Sequence, residues 1–341
     1  MGIISGRQTR REILSGISKL AGATLLGRQL LLGSTDASTA RYAPKLSVEN
    51  YIWIQHLESE KKTLAEGVDE MLSSFHGAGY RRVELGSDFF APDLRDKTLA
   101  LLAKYKLVPE TNFANSTMYE AAAAEKSVHD ALELARLLKP HGTRVIVTNP
   151  SPKPGPVRKT EEEPKTQARK PELHEVMQLG ARKTDEELNT QARYVDQLGA
   201  ELHQLGMKLA LHHHTPELVD NAREWRHLLK HTDPKRVFCC VDVHWAYRGG
   251  QDVVTFIRET GDRLLILHLR NSKHGVWMED FGPGDVDYQK VAGYLREIKF
   301  NGYLVVELAY EKNTQVTRSL DEDLRLSRLY TEKVFGLSPS A

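Results

Sequence analysis

The chain reads as an α/β protein built as a single (β/α)8 barrel, on three observations. Eight short apolar runs recur along it, a helical pattern separates most of them, and 341 residues are enough for one such barrel, which usually takes about 250.

The runs occupy residues 51–57, 82–86, 107–113, 144–149, 208–214, 237–244, 264–270 and 303–309. Each has the length of a strand and the apolar character of one buried on both faces. Helical patterns fall at 63–78, 93–105, 119–138, 185–205, 222–230, 252–259 and 288–299, and a closing helix at 321–332. Thr184 and Glu187 have the spacing of a capping box, and Gly79, Gly142, Gly206 and Gly302 each stand between a helix end and the next run. The irregular stretch is 150–183, rich in Pro, Lys, Arg and Glu. It is too long for a plain connection after the fourth strand, so it is expected to be either a lid or a disordered insertion.

Residues 1–40 have another character. Arg10 and Arg11 precede a Gly/Ala/Leu-rich stretch at 17–33, and Ser38-Thr39-Ala40 offers small residues of the kind a signal peptidase requires. The segment resembles a twin-arginine export signal. That resemblance implies a chain folded and loaded with its metal or cofactor before export, working in the periplasm or otherwise outside the cytoplasm. The apolar stretch is short for a membrane span, which needs about 20 strongly apolar residues, so no stable insertion of the mature form is expected.

Five basic and two acidic residues lie in 1–40, so the formal charge moves from +1 for the whole chain to −2 for residues 41–341. A near-neutral chain has no electrostatic footprint for nucleic acid, which argues against an endonuclease. Cys239 and Cys240 are neighbours in an apolar run, where alternate side chains face opposite ways; they are expected to be buried thiols and not a disulfide. A homo-oligomer is compatible with this composition.

In a (β/α)8 barrel the chemistry sits at the C-terminal ends of the strands. The fifth run ends in His212-His213-His214, with Ala210, His212 and His214 alternating onto one face and Glu217 just beyond. The next three runs each carry one ionisable residue in apolar company: Asp242, His268 and Glu307. A carboxylate buried without a partner costs several kcal/mol or neutralises, and two of them with an imidazole between are best reconciled by a cation. Imidazole and carboxylate donors without thiolate suit one divalent ion: Mn, Mg, Co or Zn.

The order of Asp242, His268 and Glu307, followed by the glycine-containing stretch 271–288, resembles the sugar phosphate isomerase/epimerase superfamily. These are the xylose-isomerase-like TIM barrels that include keto-sugar epimerases, inosose dehydratase and 3-dehydroshikimate dehydratase. The resemblance covers roughly residues 46–337. It implies one divalent ion held from strands five to eight, with Asp242, His268 and Glu307 at three of the ligand positions. The fifth-strand glutamate position falls at His212, with Glu217 able to reach back instead. A histidine that often follows the strand-six aspartate by three residues is replaced by Trp245, with His244 one residue earlier. Gly282 and Gly284 are expected to turn the backbone of a loop over the substrate.

An ion that chelates a carbonyl and its neighbouring hydroxyl acidifies the adjacent C–H and stabilises an enediolate. Return of the proton gives epimerisation or isomerisation; loss of a β-hydroxyl gives dehydration. Candidate bases are Glu84, His214, His244 and Glu217. Candidate substrate-binding residues are Trp53 and Trp277 as stacking faces, Asn149, and Arg270 as a fixed hydrogen-bonding fork. The expected activity is that of a metal-dependent isomerase or epimerase on a keto-sugar. The alternatives are a lyase, dehydratase or hydratase on a 3-keto-sugar or its glycoside, and a carbohydrate-binding protein without catalysis.

Overall fold

Eight parallel strands close on one another, so the barrel leaves no sheet edge unpaired. The computed structural model describes residues 41–155 and 179–338; residues 1–40, where an export signal is expected, and residues 156–178 of the insertion lie outside them. The strands are β1 (Lys45–Glu49), β2 (Arg82–Gly86), β3 (Val108–Phe113), β4 (Val145–Thr148), β5 (Lys208–Leu211), β6 (Val237–Asp242), β7 (Leu264–Leu269) and β8 (Tyr303–Val306). Closure comes from β1 pairing with β8, Leu46 opposite Leu304 and Val48 opposite Val306.

The first strand is not where the sequence pattern places it. Residues 51–57 belong to a helix, α1 (Tyr51–Ser59), which buries Ile52, Trp53 and Leu57; the strand is the shorter Lys-Leu-Ser-Val-Glu before it. An apolar run this short is ambiguous between strand and buried helix. What selects 45–49 is its pairing with β8 and β2, a contact between the two ends of the chain. Gln55 and His56 lie on this helix as well.

The helices between strands are α2 (Leu64–Gly77), α3 (Arg95–Tyr105), α4 (Ala121–Leu138), α5 (Asp185–Gln204), α6 (Thr215–His231), α7 (Val243–Arg248), α8 (Val253–Glu259) and α9 (Tyr288–Glu297), and α10 (Leu320–Phe335) follows the last strand. The capping box at α5 is formed: Glu187 N–H donates to Thr184 Oγ1 and Thr184 N–H to Glu187 Oε2. Two helices depart from the pattern. The α6 segment starts directly after the histidines and breaks at Asp220, Asn221 and Ala222, all left-handed, which is why only its second half reads as a helix. The α7 helix interrupts the sixth run: Asp242 Oδ1 accepts from Trp245 N–H and caps it.

The ends of the insertion are tied together. Lys153 bridges Ala181, and its Nζ lies 2.6 Å from Glu187 Oε1. Lys183 is buried against Glu224 on α6 at 2.9 Å. The alternative of lid or disorder concerns mainly 156–178, outside the described residues.

Candidate active site and metal centre

The C-terminal mouth of the barrel opens into a cavity of about 680 Å³. Its deep end is formed by Glu49, His212, His268, Arg270 and Glu307, and its rim includes Tyr51, Asp88, Asn115 and Lys312. That volume lies within the range of about 300–1,000 Å³ common for small-molecule sites.

Where β5 to β8 end, four side chains converge. One ligand-type atom from each of His212, Asp242, His268 and Glu307 lies within 4.8 Å of the others, and all four residues are buried. The strand periodicity produces this: Asp242 and His268 are direct neighbours in register, and His268 stands opposite Val305, two residues before Glu307. Two imidazole nitrogens and two carboxylates converging in a low-dielectric site are a donor set for a divalent cation. His212 supplies the sharper observation, since neither ring nitrogen has a hydrogen-bond partner although the residue is buried. Burial holds it well below the ordinary histidine range, so its lone pair is available. The residues present therefore fit a divalent ion.

Arg270 lies across this group. Its Nη2 donates to Asp242 Oδ2 at 2.8 Å, its Nη1 lies 3.3 Å from Glu307 Oε1, and its guanidinium sits over the rings of Trp245 and Trp277. Burial alone would raise both carboxylates; Arg270 and His268 outweigh it and hold Asp242 and Glu307 below the usual range. His268 is raised well above its ordinary value: burial opposes its charge, and Cys240, Glu84 and Glu307 overcome that.

The other expected site residues divide. His214 lines the cavity and caps α6, and Asn149, placed behind it, donates through Nδ2 to His214 Nδ1. The hydrogen of this imidazole is therefore on Nε2, and burial lowers its pKa to about 4, which makes it a hydrogen-bond donor near neutrality. Trp277 lines the cavity as expected, carried by the hairpin of residues 272–277. Trp53 does not: it is buried on α1, outside the cavity lining.

Glu217, His244 and Glu84 are outside the lining as well. Glu217 accepts from His214 N–H at 2.8 Å and is a capping residue, its carboxyl raised to about 7 by burial. His244 turns away because the strand ends at Asp242 and strand alternation no longer applies on α7. Its Nε2 lies 2.8 Å from Ser272 Oγ, and its Nδ1 accepts from Trp277 Nε1. Glu84 is fully buried beneath His268, 2.9 Å from Nε2.

Sequence reasoning missed Glu49. It ends β1, lines the cavity and accepts from Tyr51 N–H at 2.6 Å. Burial and the negative charge of Glu307 raise its carboxyl well above the usual range. Placing β1 at 45–49 would have exposed it, since the carboxylate then stands at a strand's C-terminal end.

The loop after β7 is held by its side chains. Asp285 accepts from Ser272 Oγ, His274 N–H and Gly275 N–H, and Asn271 Nδ2 donates to Gly282 O. Neither Gly282 nor Gly284 is left-handed. Gly284 is required for another reason: a Cβ there would lie 2.1 Å from Ser272 O.

A family description, the xylose isomerase-like TIM barrel, matches residues 76–330. The chain belongs to that family. Among curated relatives, an inosose dehydratase of Geobacillus kaustophilus is 31% identical over 122 residues, 30% of this chain and 40% of the relative. The match thus spans less than half the length of that relative. A sugar phosphate isomerase/epimerase of Parabacteroides distasonis has the same fold, with a TM-score of 0.60 at 18% identity over 87% of this chain and 97% of that one. So does a 3-keto-D-glucoside 4-epimerase of E. coli, with a TM-score of 0.61 at 13% identity over 85% and 99%. These relatives are enzymes, both lyases and epimerases among them.

Proposed function

We propose that this chain is a divalent-metal-dependent enzyme that moves a proton next to the carbonyl of a keto-sugar, as an isomerase or epimerase. The observation that carries the reading is the convergence of His212, Asp242, His268 and Glu307 at the floor of a sugar-sized cavity. An ion bound by these four supplies Lewis acidity to a carbonyl and its adjacent hydroxyl, lowering the pKa of the neighbouring C–H.

The chain's own groups provide the rest. His214 Nε2–H donates to a substrate oxygen; Arg270 keeps Asp242 and Glu307 charged and offers its fork to substrate hydroxyls; Trp245 and Trp277 line the wall with apolar surface. Glu49 is the carboxyl group placed to exchange a proton with the substrate from the β1 side.

A second reading, dehydration, is favoured by the inosose dehydratase relatives and by Glu49, whose raised pKa suits a donor of the proton that a departing β-hydroxyl needs. The deciding experiment incubates residues 41–341, with one added metal at a time, with keto-hexoses, 3-keto-glucosides and inosose in D2O. Deuterium at the carbon beside the carbonyl without elimination supports the isomerase or epimerase, and appearance of an unsaturated ketone supports the lyase. Binding without either overturns catalysis.

We also propose that residues 1–40 direct export by the twin-arginine route, on the strength of Arg10-Arg11 and the apolar stretch after them. Retention of an Arg10→Lys/Arg11→Lys double variant in the cytoplasm, with the parent outside it, is the expected result. Equal distribution of the two would overturn it. Among the described residues no helix is long and apolar enough to cross a membrane.

A further inference from the structure

One fully buried carboxyl group beside the site has no place in the chemistry above. Glu84 lies on β2, three strands from β7 around the barrel, and is fully buried. It does not line the cavity. Its Oε1 is 2.9 Å from His268 Nε2, an ion-pair contact not aligned as a hydrogen bond, and among the described residues no donor makes a hydrogen bond to either of its oxygens. A carboxyl group left this way in a barrel core costs free energy unless its one neighbour compensates for it.

His268 is held from both sides. Its Nδ1 is 2.6 Å from Glu307 Oε2, and its Nε2 faces Glu84. The two carboxyl groups are not equivalent, because Glu307 belongs to the four-residue cluster and lines the cavity, whereas Glu84 does neither. A ligating imidazole needs one nitrogen free of hydrogen, and the hydrogen then resides on the other nitrogen, fixed by what that one bonds to. Only the Glu84 side is available for that hydrogen, since the Glu307 side is where the donor atoms converge.

We propose that Glu84 is a positioning residue: when an ion is bound it takes the Nε2 hydrogen of His268, the atom 2.9 Å from its Oε1, and so favours the tautomer that presents Nδ1 beside Glu307, setting the affinity of the site for a divalent ion. This rests on the metal-centre reading of the cluster and reassigns Glu84 from candidate base to support. The role also explains why the carboxyl is at this position. Glu84 stands in register with Glu49 on β1, one face of the same layer, yet only Glu49 opens to the cavity. The layer therefore holds one carboxyl for substrate and one for the ligand behind it.

Cobalt(II) titration of the 41–341 chain tests this, with affinity read by calorimetry and coordination by the visible d–d absorption. The comparison is between the parent, Glu84→Gln and Glu84→Leu, with thermal unfolding of each recorded. Glu84→Leu removes the acceptor and is expected to weaken binding about 100-fold and to alter the d–d band; Glu84→Gln keeps a carbonyl oxygen for the Nε2 hydrogen and is expected to lose about 10-fold, the range found for such outer partners. A merely structural residue would lower the unfolding temperature while leaving affinity and spectrum as in the parent, and that result overturns the proposal. If Glu84→Leu does not fold, the isosteric Glu84→Gln decides alone: a loss supports the proposal, and parental affinity overturns it. A parent that binds no cobalt would instead remove the metal-centre reading, and this proposal with it.

Discussion

The two mouths of the barrel both carry charged residues at strand positions, and they treat them in opposite ways. At the N-terminal mouth Glu110 receives three donors: Lys45 Nζ at 2.9 Å, Arg82 Nε at 2.8 Å and the Tyr303 hydroxyl at 2.8 Å. Its carboxylate is drawn down by these donors against the effect of partial burial. At the C-terminal mouth the polar atoms outnumber their partners. Both nitrogens of His212 and both oxygens of Glu84 go without a well-formed hydrogen bond, and Glu49, Asp242 and Glu307 crowd around one arginine and one histidine. A structural ion network satisfies itself, whereas a site built to receive something keeps donors and acceptors in reserve. The comparison separates stability from function within one barrel.

The strongest way to break it is at the C-terminal mouth. Glu307→Gln removes a ligand-type oxygen and the charge opposite Arg270, and is expected to abolish stoichiometric metal binding and to lower kcat/KM by about 10³-fold, on the scale of losing one preorganised electrostatic group. Retained metal and activity would place the site elsewhere. The expected change in folding is much smaller than the change in function, which parallel calorimetry and kinetics would resolve.

Glu217 tests the boundary between the two behaviours. Its folded carboxyl is raised from 4.5 to about 7 by burial, so ionising it is unfavourable in the native state. The parent therefore loses stability as pH rises through this interval, and the loss is complete above about pH 7. Glu217→Gln keeps an oxygen for His214 N–H and removes the titration. Its stability curve is expected to diverge from that of the parent between pH 4.5 and 7, ending higher by up to about 3 kcal/mol. Superimposable curves from urea unfolding across this range would contradict the account.

The hairpin is the next test. Gly284→Ala forces a Cβ against Ser272 O and displaces the loop carrying Trp277, at about 1–3 kcal/mol in stability. KM is expected to rise several-fold with metal content unchanged; a change confined to metal content would show that the loop supports the cluster and not the substrate. Smallest of all, Lys45→Met at the opposite mouth leaves Glu110 with Arg82 and Tyr303 and is expected to cost less than about 1 kcal/mol, because the Lys45 side chain is partly open to solvent. Metal affinity and kcat/KM should match the parent, and any loss there would couple the two mouths.

Much of the molecule was legible before folding. The alternation of apolar runs with helical patterns specifies the barrel, and Asp242, His268 and Glu307 stand out because ionisable residues in apolar company are conspicuous in any sequence. The misreadings share a cause. Trp53 was assigned to a strand because Tyr-Ile-Trp-Ile satisfies two periods at once. Strand alternation carried past Asp242 would put His244 on the same face, but α7 begins at Val243 and turns it away. Glu217 looked free because nothing local reveals that its oxygen is taken by the backbone of His214.

By itself the sequence determined the fold class, the order of elements and the chemical type of the cluster, all of which depend on side-chain pattern over a few residues. The tertiary structure decided which of two adjacent segments closes the barrel, that Glu49 opens into the cavity while Glu84 supports His268 from behind, and that Arg270 spans Asp242 and Glu307. Those outcomes depend on residues tens to hundreds of positions apart meeting across a closed sheet, and on where each strand stops. Side-chain pattern within a segment carries no record of either.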